Sequence, residues 1–179
     1  MVSRPRLSYT IRSLHEDDTL PLRSMHAQSW RDTYENEQWG VTREWLESET
    51  NTWLNEERIK ESHKRYRDIA RNKDHFYRVA EQDGDIIGFI HFSKKDDGNK
   101  RLEGLYVAKN AYGTGLAQQL MNEAEPWLGS ADIELEVVSY NERAKAFYRK
   151  QGFVEVPGEN ELFKGKLPNI TMIRKGGKQ

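Results

Sequence analysis

The sequence predicts one α/β domain of the α+β type, a mixed sheet of about seven strands with helices on its faces. Three observations carry that expectation. Phe76–Gln82, Asp83-Gly84 and Asp85–Ser93 spell out a hairpin, because Asp-Gly supplies the positive φ a tight two-residue turn needs. The strand Arg101–Val107 runs directly into a glycine-rich turn and a helix. The 179 residues suffice for one core, and they contain no repeat, low-complexity tract or linker at which to divide it. The domain is therefore taken as residues 1–179, with flexible tails at about 1–6 and 175–179.

In chain order, Tyr9–Leu14 alternates like a first strand. Thr19–Tyr34 is expected to be helical, with Leu22, Met25, His26, Trp30 and Tyr34 at helical spacing. A second helical stretch opens at Thr42, carries Trp45, Leu46, Trp53, Leu54 and Ile59, and continues, whole or broken, to about Ala70. After the hairpin, Lys94–Lys100 is a polar turn into the third strand. A helix follows from Gly113 to about Leu128, where Pro126 should kink or stop it. Ile133–Val138 reads as a strand, and Asn141–Gln151 as a helix capped by Asn141 and ended by Gly152. Val154–Val156 and Ile170–Ile173 are expected as closing strands, joined by a loop rich in Gly, Pro and Asn.

Composition removes several function classes. Charged residues make up 32% and the net charge is −1, with Lys and Arg scattered, so no concentrated basic face for nucleic acid is expected. No apolar run approaches a membrane span, and the N-terminus lacks the apolar segment of a secretory signal. These features predict a cytoplasmic protein without a membrane partner. The absence of Cys excludes disulfides, thiolate zinc sites, iron–sulfur clusters and a cysteine nucleophile. His15, His26, His63, His75 and His91 have no metal-ligand spacing, so no metal is expected, and no nucleotide P-loop motif occurs.

Two segments carry chemistry. In L-E-G-L-Y-V-A-K-N-A-Y-G-T-G, from Leu102 to Gly115, a strand enters a glycine turn and a helix start, where backbone N–H groups can meet a phosphate. About one helix and one strand later comes N-E-R-A-K-A-F-Y-R-K-Q-G-F, Asn141 to Phe153. Together, and in this element order, they resemble the GNAT acetyltransferase superfamily over nearly the whole chain. Val107–Ala117 looks like the family's pyrophosphate loop, in which a Gln or Arg is followed, after two residues, by Gly, any residue, then Gly or Ala. The matching positions are Tyr112, Gly115 and Ala117, with Gly113 as a further matching glycine. Tyr112 departs from the usual Gln or Arg, so the resemblance implies main-chain N–H contacts to the pyrophosphate without that side-chain contact.

The resemblance implies acetyl-CoA as co-substrate. It would be held by Leu105, Tyr106, Val107, Tyr112, Gly113, Thr114, Gly115, Leu116, Ala117, Asn141, Ala144, Phe147 and Tyr148. It also implies a direct attack of a primary amine on the thioester, with Tyr148 protonating the departing thiolate. Such a transfer needs an acceptor for the amine's proton. Glu103 is the chosen base, read as sharing one strand face with Leu105 and Val107 and projecting toward the acceptor cleft. Glu134 and Glu136 on the next strand could replace it or relay for it, though surface pairing is their plainer role. His91 reads as a satisfied strand residue rather than a base.

The N-terminal helices shape acceptor choice in relatives of this kind. Trp30, Tyr34, Trp39 and Trp45, amid Glu35, Glu37, Glu44, Glu47 and Glu49, suggest an aromatic and acidic wall for a cationic amine, with core packing as the plainer reading. Trp30, Tyr34 and Glu103 are the expected substrate contacts. A polyamine or other small basic amine fits such a wall; antibiotic amines, amino-acid amines and peptide N-termini stay open. Proteins of this fold often pair, so a homodimer is compatible with the sequence. The competing reading is a catalytically silent CoA-binding sensor or partner-binding module.

Overall fold

The computed structural model describes residues 8–158 and 161–177. The strands are β1 (Thr10–Ser13), β2 (His75–Gln82), β3 (Asp85–Lys94), β4 (Lys100–Val107), β5 (Ile133–Val138), β6 (Val154–Glu155), β7 (Glu161–Phe163) and β8 (Leu167–Arg174). The helices are α1 (Thr19–Thr33), α2 (Arg43–Thr52), α3 (Glu56–Ala70), α4 (Leu116–Leu128) and α5 (Glu142–Lys150). One eight-stranded sheet runs in the order β1-β2-β3-β4-β5-β8-β6, with β7 also on β8. All pairs are antiparallel except β4 and β5, which α4 connects as a crossover.

The hairpin stands where Asp-Gly places it, with Asp83 at φ 52° and Gly84 at φ 89°. The long helical stretch is broken at Trp53–Asn55. There the Trp53 carbonyl turns out to accept from Arg23 Nη2 at 3.1 Å, and Asn55 Oδ1 caps the next helix by accepting from Arg58 N at 2.9 Å. Pro126 lies inside α4, which ends two residues later at Leu128 before Gly129. The described residues form eight strands where the sequence predicts about seven. Lys164 (φ 53°) and Gly165 (φ 68°) hold left-handed backbone in a three-residue turn, Lys164 to Lys166, that folds Glu161–Phe163 back on Leu167, inside the stretch expected as loop. The proposed tails at 1–6 and 178–179 lie outside the described residues, while Lys175 Nζ and Gly176 N both bond the Asp132 carboxylate.

The sheet is packed on both faces. Phe92, Leu102, Ile133, Leu135 and Met172 meet Leu116, Leu120, Met121 and Tyr148 of α4 and α5 on one side. Val79, Ile86 and Phe89 meet Leu22, Met25, Tyr66 and Ile69 of α1 and α3 on the other. No helix among the described residues is long and apolar enough to cross a membrane.

Two histidines are enclosed in this second layer. His91 stacks on Tyr77 with ring centroids 4.6 Å apart, and its Nε2 lies 3.0 Å from His75 Nδ1. Burial first, then the charges of His75 and Arg65, pushes its pKa down to about 3. His26, enclosed by Tyr106, Phe89 and Trp53, is likewise pushed down to about 3, by burial and then Arg23 and Arg65. Both rings stay neutral when folded, whereas the unfolded chain protonates them near pH 6.5. Their contribution to stability is therefore present above pH 6.5 and lost as pH falls from there toward 3. We expect urea unfolding between pH 7 and 5 to show a loss of up to about 1.4 kcal/mol per pH unit for each histidine. His91→Leu should remove one share, and a pH-independent midpoint over that window would contradict the assignment.

Candidate active site

β4 and β5 are paired only from Lys100 to Leu102 against Ile133 to Leu135. Beyond Leu102 the two parallel strands lose their mutual bonds, and the gap opens into a cavity of about 720 Å³. Its walls come from β4, β5, α1, the turn before α4, and α5. A gap at the ends of parallel strands is where an α/β sheet offers backbone groups and helix ends to a ligand.

The turn before α4 is set by glycine geometry. Gly113 (φ 75°) and Gly115 (φ 86°) hold left-handed backbone, and a Cβ at Gly115 would meet no atom within 4 Å, so the space beside it is open. Gly115 stands at the N-cap of α4 without a side-chain cap. Among the described residues, the N–H groups of Gly113, Gly115, Ala117 and Gln118 have no protein acceptor, and all four residues line the cavity. Uncapped amides at a helix start favour an anion. Thr114, expected among the cofactor contacts, is absent from the wall. Its hydroxyl turns back, donating to Ala111 O at 2.7 Å and accepting from Leu116 N at 3.4 Å.

Asn141 caps α5 by accepting from Ala144 N at 3.2 Å, and α5 then presents Ala144, Phe147 and Tyr148 to the same cavity. Tyr148 is buried, and its hydroxyl has no hydrogen-bond partner among the described residues. Burial, with a smaller contribution from Tyr106, raises its pKa well above the ordinary phenol value. It therefore keeps its proton at neutral pH.

β4 carries an irregularity that the sequence did not reveal. His91 pairs with Gly104 and Phe92 with Leu102, which leaves Glu103 as the extra residue of a bulge. The expectation that Glu103 shares a face with Leu105 and Val107 is corrected. Leu102, Leu105 and Val107 all pack into the α4 layer. Glu103 instead accepts from Ser93 Oγ at 2.6 Å on the opposite face, where a Cβ on Gly104 would touch the Phe89 ring at 3.1 Å. Without the bulge a period of two would send Glu103 into the apolar layer. With it, the carboxylate joins the cavity wall on the α1 side.

Tyr106, expected as a cofactor contact, has its side chain on that side too. Its hydroxyl accepts from Trp30 Nε1 at 3.2 Å and lies 3.1 Å from Tyr34 Oη. Trp30 and Tyr34 line the cavity. The acidic wall does not form there. Trp39 and Trp45 lie elsewhere, Glu35 pairs with Arg43 and Glu49 with Lys164, and Glu37, Glu44 and Glu47 are not part of the lining. Helical spacing could not say which side of α2 faces the sheet. The carboxylates at the cavity are Glu103 and Glu136, gathered around one guanidinium. Arg101 reaches Glu136 at 2.7 Å, Glu134 at 3.1 Å and Glu103 at 3.8 Å. Glu136 also accepts from Asn169 Nδ2 at 3.2 Å. Sequence reasoning missed Arg101, Arg143 and His26 at this cavity; only the pairing of β4 with β5 and the docking of α1 and α5 bring them in.

The model of the acetyltransferase (GNAT) family matches residues 25–153, well over half of the chain. The chain belongs to this family. The GNAT fold is also what the solved structures share with it. A PaiA N-acetyltransferase from Thermoplasma acidophilum, solved with coenzyme A, superposes with a TM-score of 0.73 at 22% identity, covering 94% of this chain and 99% of that one. A GNAT acetyltransferase from Streptococcus pneumoniae gives 0.71 at 19% identity, over 95% and 100% of the two chains. A ribosomal-protein-alanine N-acetyltransferase from Brucella melitensis gives 0.58 at 22% identity, over 93% and 99%. In sequence, uncharacterized N-acetyltransferases of Mycobacterium tuberculosis and Mycobacterium bovis are 37% identical over 79 residues, 42% of this chain. This GNAT chain's match spans about half, 50%, of the length of those relatives.

Proposed function

We propose that this GNAT protein is an acyl-CoA-dependent N-acetyltransferase that moves an acetyl group from acetyl-CoA to a primary amine by direct attack. One observation carries the reading. The amides at the start of α4 and the Tyr148 hydroxyl, which have no hydrogen-bond partner among the described residues, share a single cavity with the Glu103 carboxylate, formed where β4 and β5 part. Its charge pattern suits the two substrates: bare N–H groups at one end for a pyrophosphate, and carboxylates beside aromatic rings at the other for an amine. That a structural neighbour was solved with coenzyme A supports the assignment of the first end.

When bound, acetyl-CoA supplies the activated thioester. The amides of Gly113, Gly115, Ala117 and Gln118 would hold its pyrophosphate, and Asn141, Ala144 and Phe147 would flank the arm. Glu103 accepts the proton the amine gives up as the new C–N bond forms, directly or through a water, and Tyr148 returns a proton to sulfur as the C–S bond breaks. Glu136, held by Arg101 and Asn169, is the residue that could relay for Glu103. With Trp30 and Tyr34 beside Glu103 and Glu136, the acceptor we favour is a polyamine or another small cationic amine.

The test begins with titration calorimetry of acetyl-CoA and free CoA, followed by thiol release with a panel of amines. Micromolar binding and turnover of a di- or polyamine are expected. Glu103→Gln should lower kcat about a hundredfold with little change in KM for acetyl-CoA, and should flatten the acidic limb of the pH–rate profile. Binding without turnover for every amine would favour the silent CoA-binding module. Wild-type turnover in the Glu103→Gln variant would move the base to Glu136.

A further inference from the structure

The phosphate end has one feature that the loop alone does not explain. α5 carries three other cations, and two of them are paired: Lys145 with Glu142 at 2.7 Å, and Arg149 with Glu155. Arg143 has no carboxylate partner among the described residues, although Glu142 is its chain neighbour. Its guanidinium carbon instead sits 3.7 Å from the centroid of the Tyr112 ring. Arg143, Phe147 and Lys150 fall at i, i+4 and i+7 on α5, and all three line the cavity. Tyr112 is extended (φ −64°, ψ 139°) and directly precedes Gly113.

A guanidinium stacked on a ring keeps its in-plane N–H donors free at the edge. The ring also removes much of the rotamer freedom that a phosphate contact from an exposed arginine would otherwise have to overcome. Among the described residues, a cation without a carboxylate partner thus shares one cavity wall with four amides that have no protein acceptor.

We propose that Tyr112 and Arg143 form a composite phosphate clamp: Tyr112 is a platform, and Arg143 delivers bidentate donors to the same pyrophosphate that the α4 amides bind. The proposal rests on the reading of this cavity as a CoA site. It also explains how the chain can carry Tyr at a loop position where a Gln or Arg is expected, since the side-chain donor comes from α5 instead. Arg143 is exposed, so its replacement should leave folding intact.

The experiment is calorimetric affinity for CoA, for dephospho-CoA (which keeps the pyrophosphate) and for pantetheine (which has no phosphate). Arg143→Ala should weaken CoA and dephospho-CoA alike by about tenfold and leave pantetheine unchanged. Arg143→Lys should recover only part of the loss, because an ammonium neither stacks nor forks. Tyr112→Leu should cost about threefold alone and nothing further on top of Arg143→Ala. Placing the donor in the loop itself, with Tyr112→Arg in the Arg143→Ala background, should restore much of the affinity. Wild-type CoA affinity in Arg143→Ala would overturn the clamp, as would a penalty that disappears with dephospho-CoA or a fully additive Tyr112→Leu. Those results differ from failure of the CoA reading itself, in which the unmodified protein binds neither CoA nor dephospho-CoA.

Discussion

Tyr148→Phe is expected to lower kcat by about a hundredfold while changing the affinity for CoA by less than about twofold. The substitution removes one oxygen that has no hydrogen-bond partner among the described residues, so no protein contact is lost and the ring keeps its packing against Phe147 and Phe153. What disappears is the donor for the departing sulfur. Burial keeps the phenol protonated, so its O–H is present to be given up. Two measurements separate the possibilities: steady-state kinetics with the best amine, and calorimetry with CoA. Equal loss in both would make Tyr148 a binding residue. Undiminished turnover would hand the proton to solvent and end the acid assignment.

The second large effect is expected at the helix start. Gly115→Glu should reduce CoA affinity at least about a hundredfold, roughly 2.7 kcal/mol. A side chain there enters open space beside the partnerless amides, so its carboxylate would occupy the anion site and repel a pyrophosphate. Gly115 also has φ 86°, so any L-residue adds backbone strain of about 1–2 kcal/mol. Gly115→Ala is the control, since it carries the strain without the charge. Both variants should lose similar stability in urea, while only the Glu variant should lose most of its affinity. If Ala and Glu weaken CoA equally, the loss comes from a distorted turn and the anion site is not where the amides point.

These two residues were legible in the sequence for different reasons. Gly115 announced itself through local rules, because a strand, a glycine turn and a helix in immediate succession leave few other conformations. Tyr148 was singled out by the resemblance; its spacing alone is equally that of a packed aromatic beside Phe147. Glu103 shows the opposite limit. Its place on β4 was read correctly, and its face was not, because period-two reasoning assumes an unbroken ladder and the bulge opposite His91 and Phe92 breaks it. The same kind of limit hid β7: the left-handed pair Lys164-Gly165 makes a hairpin from a segment whose composition reads as loop.

What the sequence determined by itself is whatever depends on neighbours along the chain: the Asp83-Gly84 hairpin, the caps Asn55 and Asn141, the glycine turn ahead of α4, and the order of elements that places the chain in the GNAT family. Only the tertiary structure decided which of these segments meet. The parting of β4 from β5 opens the cavity, the docking of α1 brings Trp30 and Tyr34 to it in place of the glutamates of α2, and α5 lays Arg143 on Tyr112. The physical reason is that turns and caps are fixed by dihedral preferences and hydrogen bonds within a few residues, whereas a binding cavity is made by side chains far apart in sequence, whose meeting depends on how whole layers pack.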